Sequence, residues 1–425
     1  MEIATATRNP LDDVSYEDLY RRWEHGQWRS TELDFSIDAE QWQTELSDFE
    51  RRAALWNYSL FFWGEDAVAD GLSPYIDAAP LEEQKYFLAT QQADEARHAV
   101  FFNRFMKEVV GIGGDSIADG LKAIEPNLNW GFREVFGRLE TMCAELRRNP
   151  SVPQLAAAVT LYHVVIEATL AQTGQHFITT YLTERDLLPG FREGMENVAV
   201  DEHRHIAFGV KLLSDLRQMD PEVPGAVSDL LREMLPATVA VLVPPGWDER
   251  YLTVFGPTFE DLVEAGVVSI LSKLRAAGMP LDELPGPPAF PVPGTPRERA
   301  ERTKRLLKAG YIGEKTGPPS AAVEDMSLLF DSVAAGLDSG AAAEPGAIQW
   351  VFRDAEPWHV VVANGSTRPA RGRADSPQLT LKSTLEDFVD VVANRQDPRL
   401  LLARGRLRAR GDLRWLWKSR RMFPV

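Results

Sequence analysis

Apolar positions recur at helical spacing through most of the first 280 residues, in stretches of about 81–110, 131–148, 152–186, 190–217, 222–242 and 257–278. Ser47 with Glu50 forms a capping box that predicts a further helix start just before Arg51–Leu60. Asn149-Pro150 and Leu188-Pro189-Gly190 separate neighbouring stretches. At ~1.5 Å per residue several of these helices exceed roughly 40 Å, which predicts a long-helix bundle. Beyond this region the period changes. Residues 349–353, 358–363, 368–372, 379–383 and 406–410 alternate as short strands, with helices expected over 384–393 and at the end of the chain. Between the two patterns, Pro280 to Pro296 is too rich in proline to hold helix or central strand. The expected organisation is a mainly α domain over 1–280, a proline-rich linker with a short basic helix over 281–316, and a small α+β domain over 317–425.

Charge sharpens that division. The chain has 425 residues and a formal charge of −17, from 46 Lys+Arg against 63 Asp+Glu. Residues 317–425 hold 15 of those cations and 13 of the acids, a balance of +2, which leaves −19 on the first 316. That excess opposes a polyphosphate backbone, so nucleic acid is not an expected partner. Cys143 is the only cysteine, which excludes an intramolecular disulfide and fits a reducing compartment. The first residues lack a signal-peptide pattern, and uninterrupted apolar runs such as Val239 to Val243 fall far short of a ~20-residue span. The expectation is a cytoplasmic protein without a transmembrane segment.

Two segments look alike: Asp94-Glu95-Ala96-Arg97-His98 and Asp201-Glu202-His203-Arg204-His205. Each carries Glu-x-x-His inside a long helix, so carboxylate and imidazole share a face. Glu65 and Glu167 are acids set among apolar neighbours, Leu60 to Trp63 before the first and Val164 to Ile166 before the second. A buried unpaired carboxylate costs several kcal/mol or takes up a proton, so each needs a partner. The order Glu65, Glu95/His98, Glu167, Glu202/His205 is that of ferritin-like dimetal carboxylate bundles, one Glu from each of two helices and one Glu-x-x-His from each of the other two. Four carboxylates and two imidazoles suit iron or manganese better than tetrahedral zinc. The competing reading makes these six ordinary salt-bridge residues. His163, one turn before Glu167, is a candidate ligand but is expected rather to pack or to support a ligand, His203 to point away, and His25, His176 and His359 to stand outside any pattern.

With those residues in place the chain resembles the small subunits of ribonucleotide reductase over about 20–245, and most closely their relatives, the ligand-binding oxidases. Gln27 to Phe35, Gly64 to Val68, both Glu-x-x-His pairs and Tyr162 to Gly174 carry the likeness. Three positions separate the branches. Phe102 stands where radical-generating subunits usually have tyrosine, the chain ends in Trp417 to Val425 without a relay tyrosine, and Val198 stands where arylamine oxygenases add a histidine. Val68 and Tyr162 match the two residues that the oxidases join as an ether, and Asp201 and Trp28 match a carboxylate and an indole near one histidine ligand. The resemblance implies a manganese/iron or di-iron centre, O₂, an unidentified electron donor, a long-chain fatty acid or other lipid as ligand, and a homodimer. It leaves two alternatives: a radical-storing subunit, and a metal- and lipid-binding protein without turnover.

Residues 320–425 resemble the sterol carrier protein type 2 domain through Leu379 to Lys382, Leu385 to Phe388, Asp397-Pro398 and Gly405 to Leu413. That likeness implies an apolar tunnel for acyl chains or sterols. The residues alone indicate a small α+β domain with a basic final strand, for which association is the competing role.

Overall fold

In the computed structural model of the chain, which describes residues 14–280, 284–285, 294–335, 345–363, 366–412 and 414–415, side-chain caps set most helix starts. α1 (Tyr16–His25) begins at Ser15, whose side chain accepts from Asp18 N. α2 (Asp48–Gly71) begins on the expected capping box, with Ser47 N donating to Glu50 Oε2 at 2.7 Å and Glu50 N to Ser47 Oγ at 3.2 Å. α3 (Glu82–Phe105) runs on as a π-helical turn over Met106–Val110. α4 (Trp130–Arg148) is capped by Asn129 and α5 (Val152–Val159) by Ser151. α6 (Gln172–Glu184) is followed by α7 (Pro189–Met219), whose 31 residues span about 46 Å. The buried Asp38 carboxylate accepts from the first amides of α7, Gly190 N at 2.9 Å and Phe191 N at 2.7 Å. α8 (Val223–Val241) and α9 (Phe259–Ala276) complete the long helices.

One predicted helix differs in kind. The stretch expected as a single helix over 152–186 is α-helical only at its ends, and Thr160–Ala171 between α5 and α6 is π-helical. A π segment widens the turn and re-aims side chains, and such segments gather at functional sites. Val152–Arg185 is also long and apolar enough to cross a membrane by length and composition, but 83% of its apolar window is buried. Its hydrophobicity all round is that of a helix at the centre of a bundle. The expectation of no such stretch holds for uninterrupted runs, not for mean hydropathy.

Contacts divide the chain into two units, Met1–Leu230 with Val241–Asp282 and Leu231–Ala240 with Glu283–Val425. In the first, α2 packs on α3, α7 and α9 pack on the π segment, and an aromatic core fills one end of the bundle. Phe105 and Phe191 lie 4.2 Å apart by ring centroid, and Phe61 stacks on Phe102 at 5.8 Å. Gly209 on α7 is required by a close approach: a Cβ there would lie 2.2 Å from His163 Cβ.

The second unit begins earlier than the expected boundary at 317. α10 (Pro296–Lys308), expected as a connector, is tied to α11 (Val323–Ala335), because Arg302 Nη2 donates to Leu328 O and to Ser332 Oγ, each at 2.9 Å. Most of the expected proline-rich spacer lies outside the described residues, as do the expected final helix and Trp417 to Val425. The strands are β1 (Gly346–Phe352), β2 (Trp358–Ala363), β3 (Ser366–Arg371), β4 (Leu379–Ser383) and β5 (Arg408–Gly411), in the order β3-β2-β1-β4-β5. β1 and β4 are parallel and the other pairs antiparallel, giving a mixed sheet. Strand ends shift from expectation by up to three residues because pairing sets them: β1 begins at Gly346, opposite Val362. Phe330 on α11 stacks on Trp358 at 5.0 Å and, at 5.3 Å, on Phe388 of α12 (Leu385–Val392). A short helix, α13 (Pro398–Ala403), was not expected; Asp397 caps it.

Candidate metal centre

Four elements bring the six proposed ligands together in the first unit: Glu65 from α2, Glu95 and His98 from α3, Glu167 from the π segment, and Glu202 and His205 from α7. All are buried. They form two groups, Glu65, Glu95, His98 and Glu202, and Glu95, Glu167, Glu202 and His205, with the ligand atoms of each within 4.8 Å of one another. Glu95 and Glu202 belong to both, so each would be within reach of two ions. Each histidine turns Nδ1 inward. His98 Nδ1 lies 3.2 Å from Glu65 Oε2 and 3.3 Å from Glu95 Oε2, and His205 Nδ1 lies 3.1 Å from Glu95 Oε1 and 3.6 Å from Glu167 Oε1.

Such crowding of buried acids is expensive, and it moves the protonation of each group. Burial pushes the Glu65 and Glu167 carboxyls up to about 7, and burial with three carboxylate neighbours pushes Glu202 well above its usual range. Burial would raise Glu95 too, but His205 and His98 hold it well below the usual range. The same carboxylates hold both histidines well above theirs against burial. Glu167 Oε2 and Glu202 Oε2 are buried without a hydrogen-bond partner. Buried oxygens of that kind need a ligand or an ion. Four carboxylates and two inward-facing imidazoles around two foci form a cluster able to bind two metal ions.

The outer nitrogens reveal a crossed arrangement. His98 Nε2 lies 3.1 Å from Asp201 Oδ2, and His205 Nε2 lies 3.1 Å from Asp94 Oδ2. Each aspartate therefore supports the histidine of the other motif. Arg204 Nη2 donates to Asp94 Oδ2 at 2.6 Å and to Asp201 Oδ1 at 2.8 Å. Arg97 Nη2 also reaches both, Asp201 Oδ2 at 3.0 Å and Asp94 Oδ1. Two half-buried indoles complete the ring: Trp28 Nε1 donates to Asp201 Oδ2 at 2.8 Å and Trp23 Nε1 to Asp94 Oδ1 at 2.9 Å. The Trp28 ring also stacks on His98 at 6.1 Å. Asp201 and Trp28 thus both lie against His98. Asp94, Arg97, Arg204 and Trp23 were missed, although Asp and Arg stand at matching places in both five-residue motifs.

Tyr162 donates its hydroxyl proton to Glu95 Oε1 at 2.6 Å and accepts from Gln91 Nε2 at 2.9 Å. Gln91 Nε2 also donates to Glu167 Oε1 at 2.8 Å, and Gln91 Oε1 lies 3.2 Å from His163 Nε2. Burial pushes His163 down to about 3, so it is neutral and donates to Gln91. That fixes the amide with its NH₂ toward the cluster. His163 is therefore a supporting group, as one of its expected roles had it. His203, His25 and His176 are exposed, and His359 Nδ1 lies 3.1 Å from Gly372 O in the second unit.

A cavity opens onto the cluster. Glu65, Glu95, Glu167 and Glu202 line its inner end together with Val68 and Tyr162, and Trp56, Phe132, Phe177 and Leu252 are among its apolar walls.

Solved structures share this fold. An R2-like ligand-binding oxidase with aerobically reconstituted Mn/Fe cofactor is 22% identical, covers 65% of this chain and 96% of its own, and superposes with a TM-score of 0.55. Two variants of R2-like ligand-binding oxidase, also with aerobically reconstituted Mn/Fe cofactor, are 21% and 20% identical, cover 62% and 65% of this chain and 97% and 98% of their own, each at a TM-score of 0.55. Residues 316–423 match the alkyl sulfatase C-terminal family, whereas the sequence reading pointed to a sterol carrier domain there. Residues 6–241, more than half of the chain, match the family of the ribonucleotide reductase small chain, and to that family this chain belongs.

Proposed function

We propose that the chain is an O₂-dependent dimetal oxidase or monooxygenase, with manganese/iron or iron/iron held by Glu65, Glu95, His98, Glu167, Glu202 and His205, acting on a long-chain lipid. The observation that carries this reading is the cavity: its apolar walls suit an acyl chain, and its inner end is the carboxylate cluster itself. A bound metal pair would supply the reduction of O₂ and the oxidising power for a C–H bond. The protein's part is to fix the ligands through the Asp94 and Asp201 carboxylates, to exclude water with the apolar walls, and to aim a substrate carbon. Phe102, buried in the aromatic core where a radical tyrosine would otherwise stand, favours an oxidase over a radical-storing subunit.

Val68 and Tyr162 line the same inner end, which supports an ether between Val68 Cβ and Tyr162 Oη. Forming that C–O bond releases one hydrogen from each residue, as two protons and two electrons, and O₂ accepts the electrons. Glu95 Oε1, already hydrogen-bonded to the Tyr162 hydroxyl, is the acceptor placed to take its proton. After aerobic loading with manganese and iron, intact mass should fall by two hydrogens, and a peptide joining Val68 to Tyr162 should appear on digestion. Tyr162→Phe should bind metal and keep its mass. An unchanged wild-type mass after O₂ exposure would remove support for the crosslink and favour a metal- and lipid-binding protein without turnover.

The second unit is proposed to carry or present the lipid, on the sterol-carrier likeness of its sequence. We also propose that the protein acts in the cytoplasm as a homodimer with a separate electron donor.

A further inference from the structure

The outer edge of the second unit's sheet carries an arrangement of charge that its own fold does not account for. β4 and β5 pair antiparallel, with Lys382 directly opposite Arg408 and Thr380 opposite Arg410. Cross-strand partners share a face, and residues two apart on a strand do too, so Lys382, Arg408 and Arg410 project together. All three are exposed, and none makes an ion pair among the described residues. On the opposite face of the same strands, Leu379 is buried and Leu381 and Ala409 are half-buried. Arg353 adds a fourth cation near this edge, its Nη2 donating to Arg406 O at 3.2 Å just ahead of β5. Like charges directly opposite one another destabilise a strand pair. Charged residues on an edge strand do blunt edge-to-edge aggregation, which accounts for Arg408 and Arg410 on β5. It does not account for Lys382, which lies on the inner strand β4 and faces a cation. The surrounding sequence extends the pattern: residues 395–425 hold ten Lys+Arg and two Asp+Glu in a chain whose total is −17.

We propose that this face of the second unit docks on an anionic lipid surface. The charges lie on neighbouring strands about 4.8 Å apart and on residues about 7 Å apart along β5, a nearly flat array. A flat array fits the plane of phospholipid headgroups better than one phosphate, which a concave nest of amides or a helix end would hold. Repulsion from the chain's net negative charge is screened beyond about 8 Å at physiological salt. Juxtamembrane cations contribute about fivefold in binding each, so three should give on the order of a hundredfold. The inference is independent of which lipid, if any, the metal centre oxidises.

Flotation of the full-length protein with vesicles tests it. Binding is expected to phosphatidylcholine vesicles containing phosphatidylglycerol, not to phosphatidylcholine alone, and to weaken steeply as salt rises. Lys382→Glu/Arg408→Glu/Arg410→Glu should bind on the order of a hundredfold more weakly. Lys382→Glu alone should weaken binding with an unchanged or raised melting temperature, because it places a carboxylate opposite Arg408, which separates a docking role from a folding one. Equal binding to neutral vesicles, full retention by the triple variant, or capture by a DNA oligonucleotide without capture by vesicles would each overturn the proposal.

Discussion

Glu202→Gln should reduce metal content from two ions per chain to near none, while Glu65→Gln and Glu167→Gln should each retain about one. The difference follows from membership: Glu202 belongs to both ligand groups, Glu65 and Glu167 to one each. The substitution keeps the volume and removes an acceptor oxygen, so packing is preserved. Burial and its three carboxylate neighbours push the Glu202 carboxyl well above its usual range, toward the neutral form that the amide mimics. Apo wild type and apo variant should therefore melt within a few degrees of one another. With metal at a hundred times its dissociation constant, wild type should gain about 2.7 kcal/mol per ion and the variant almost nothing. Metal analysis with thermal melts of both forms checks this. A Glu202→Gln variant holding two ions would show that the cluster is not arranged around shared carboxylates.

Asp94→Asn and Asp201→Asn should act across the motifs. Asp94 adjoins Glu95 in sequence, yet its Oδ2 lies beside His205 Nε2, while Asp201 Oδ2 lies beside His98 Nε2. A carboxylate behind a metal-bound histidine fixes the ring and raises its basicity, and losing it typically costs 10–100-fold in metal affinity. Asp94→Asn should weaken the group containing His205 by that factor and spare the group containing His98, and Asp201→Asn should do the reverse. Isotherms with manganese alone, read by electron paramagnetic resonance, separate isolated from paired ions. Loss at the histidine nearer in sequence, or equal loss at both, would contradict the crossed support. Arg204 and Arg97 each bridge the two aspartates, so changing either should affect both groups.

Much of the centre was legible because its chemistry is local. Glu95 with His98, and Glu202 with His205, are one turn apart on one helix, and periodicity alone puts them on one face. Glu65 and Glu167 stood out as acids in apolar surroundings. The crossed aspartates were not legible, because helical spacing says which face a residue occupies and not which neighbouring helix it meets. The five-residue motifs carried the signal in their repeated Asp and Arg, but the partners lie more than a hundred residues away. The cavity was hidden for the same reason, since Trp56, Phe132, Phe177 and Leu252 come from four distant segments. The π segment was hidden because its composition is that of any apolar helix. Tyr162, His163 and Glu167 all lie in it, and the wider turn aims Tyr162 and Glu167 at the cluster, with His163 supporting them through Gln91. In the second unit, alternation located all five strands, while their ends depended on pairing that no single strand encodes.

Anomalous diffraction at the manganese and iron edges, on crystals of the full chain loaded aerobically with both metals, tests the dimetal assignment most directly. The predicted result is two peaks about 3.5–4 Å apart, one beside His98 and Glu65 and the other beside His205 and Glu167, with Glu95 and Glu202 between them. A single peak, or peaks away from these six side chains, would contradict it.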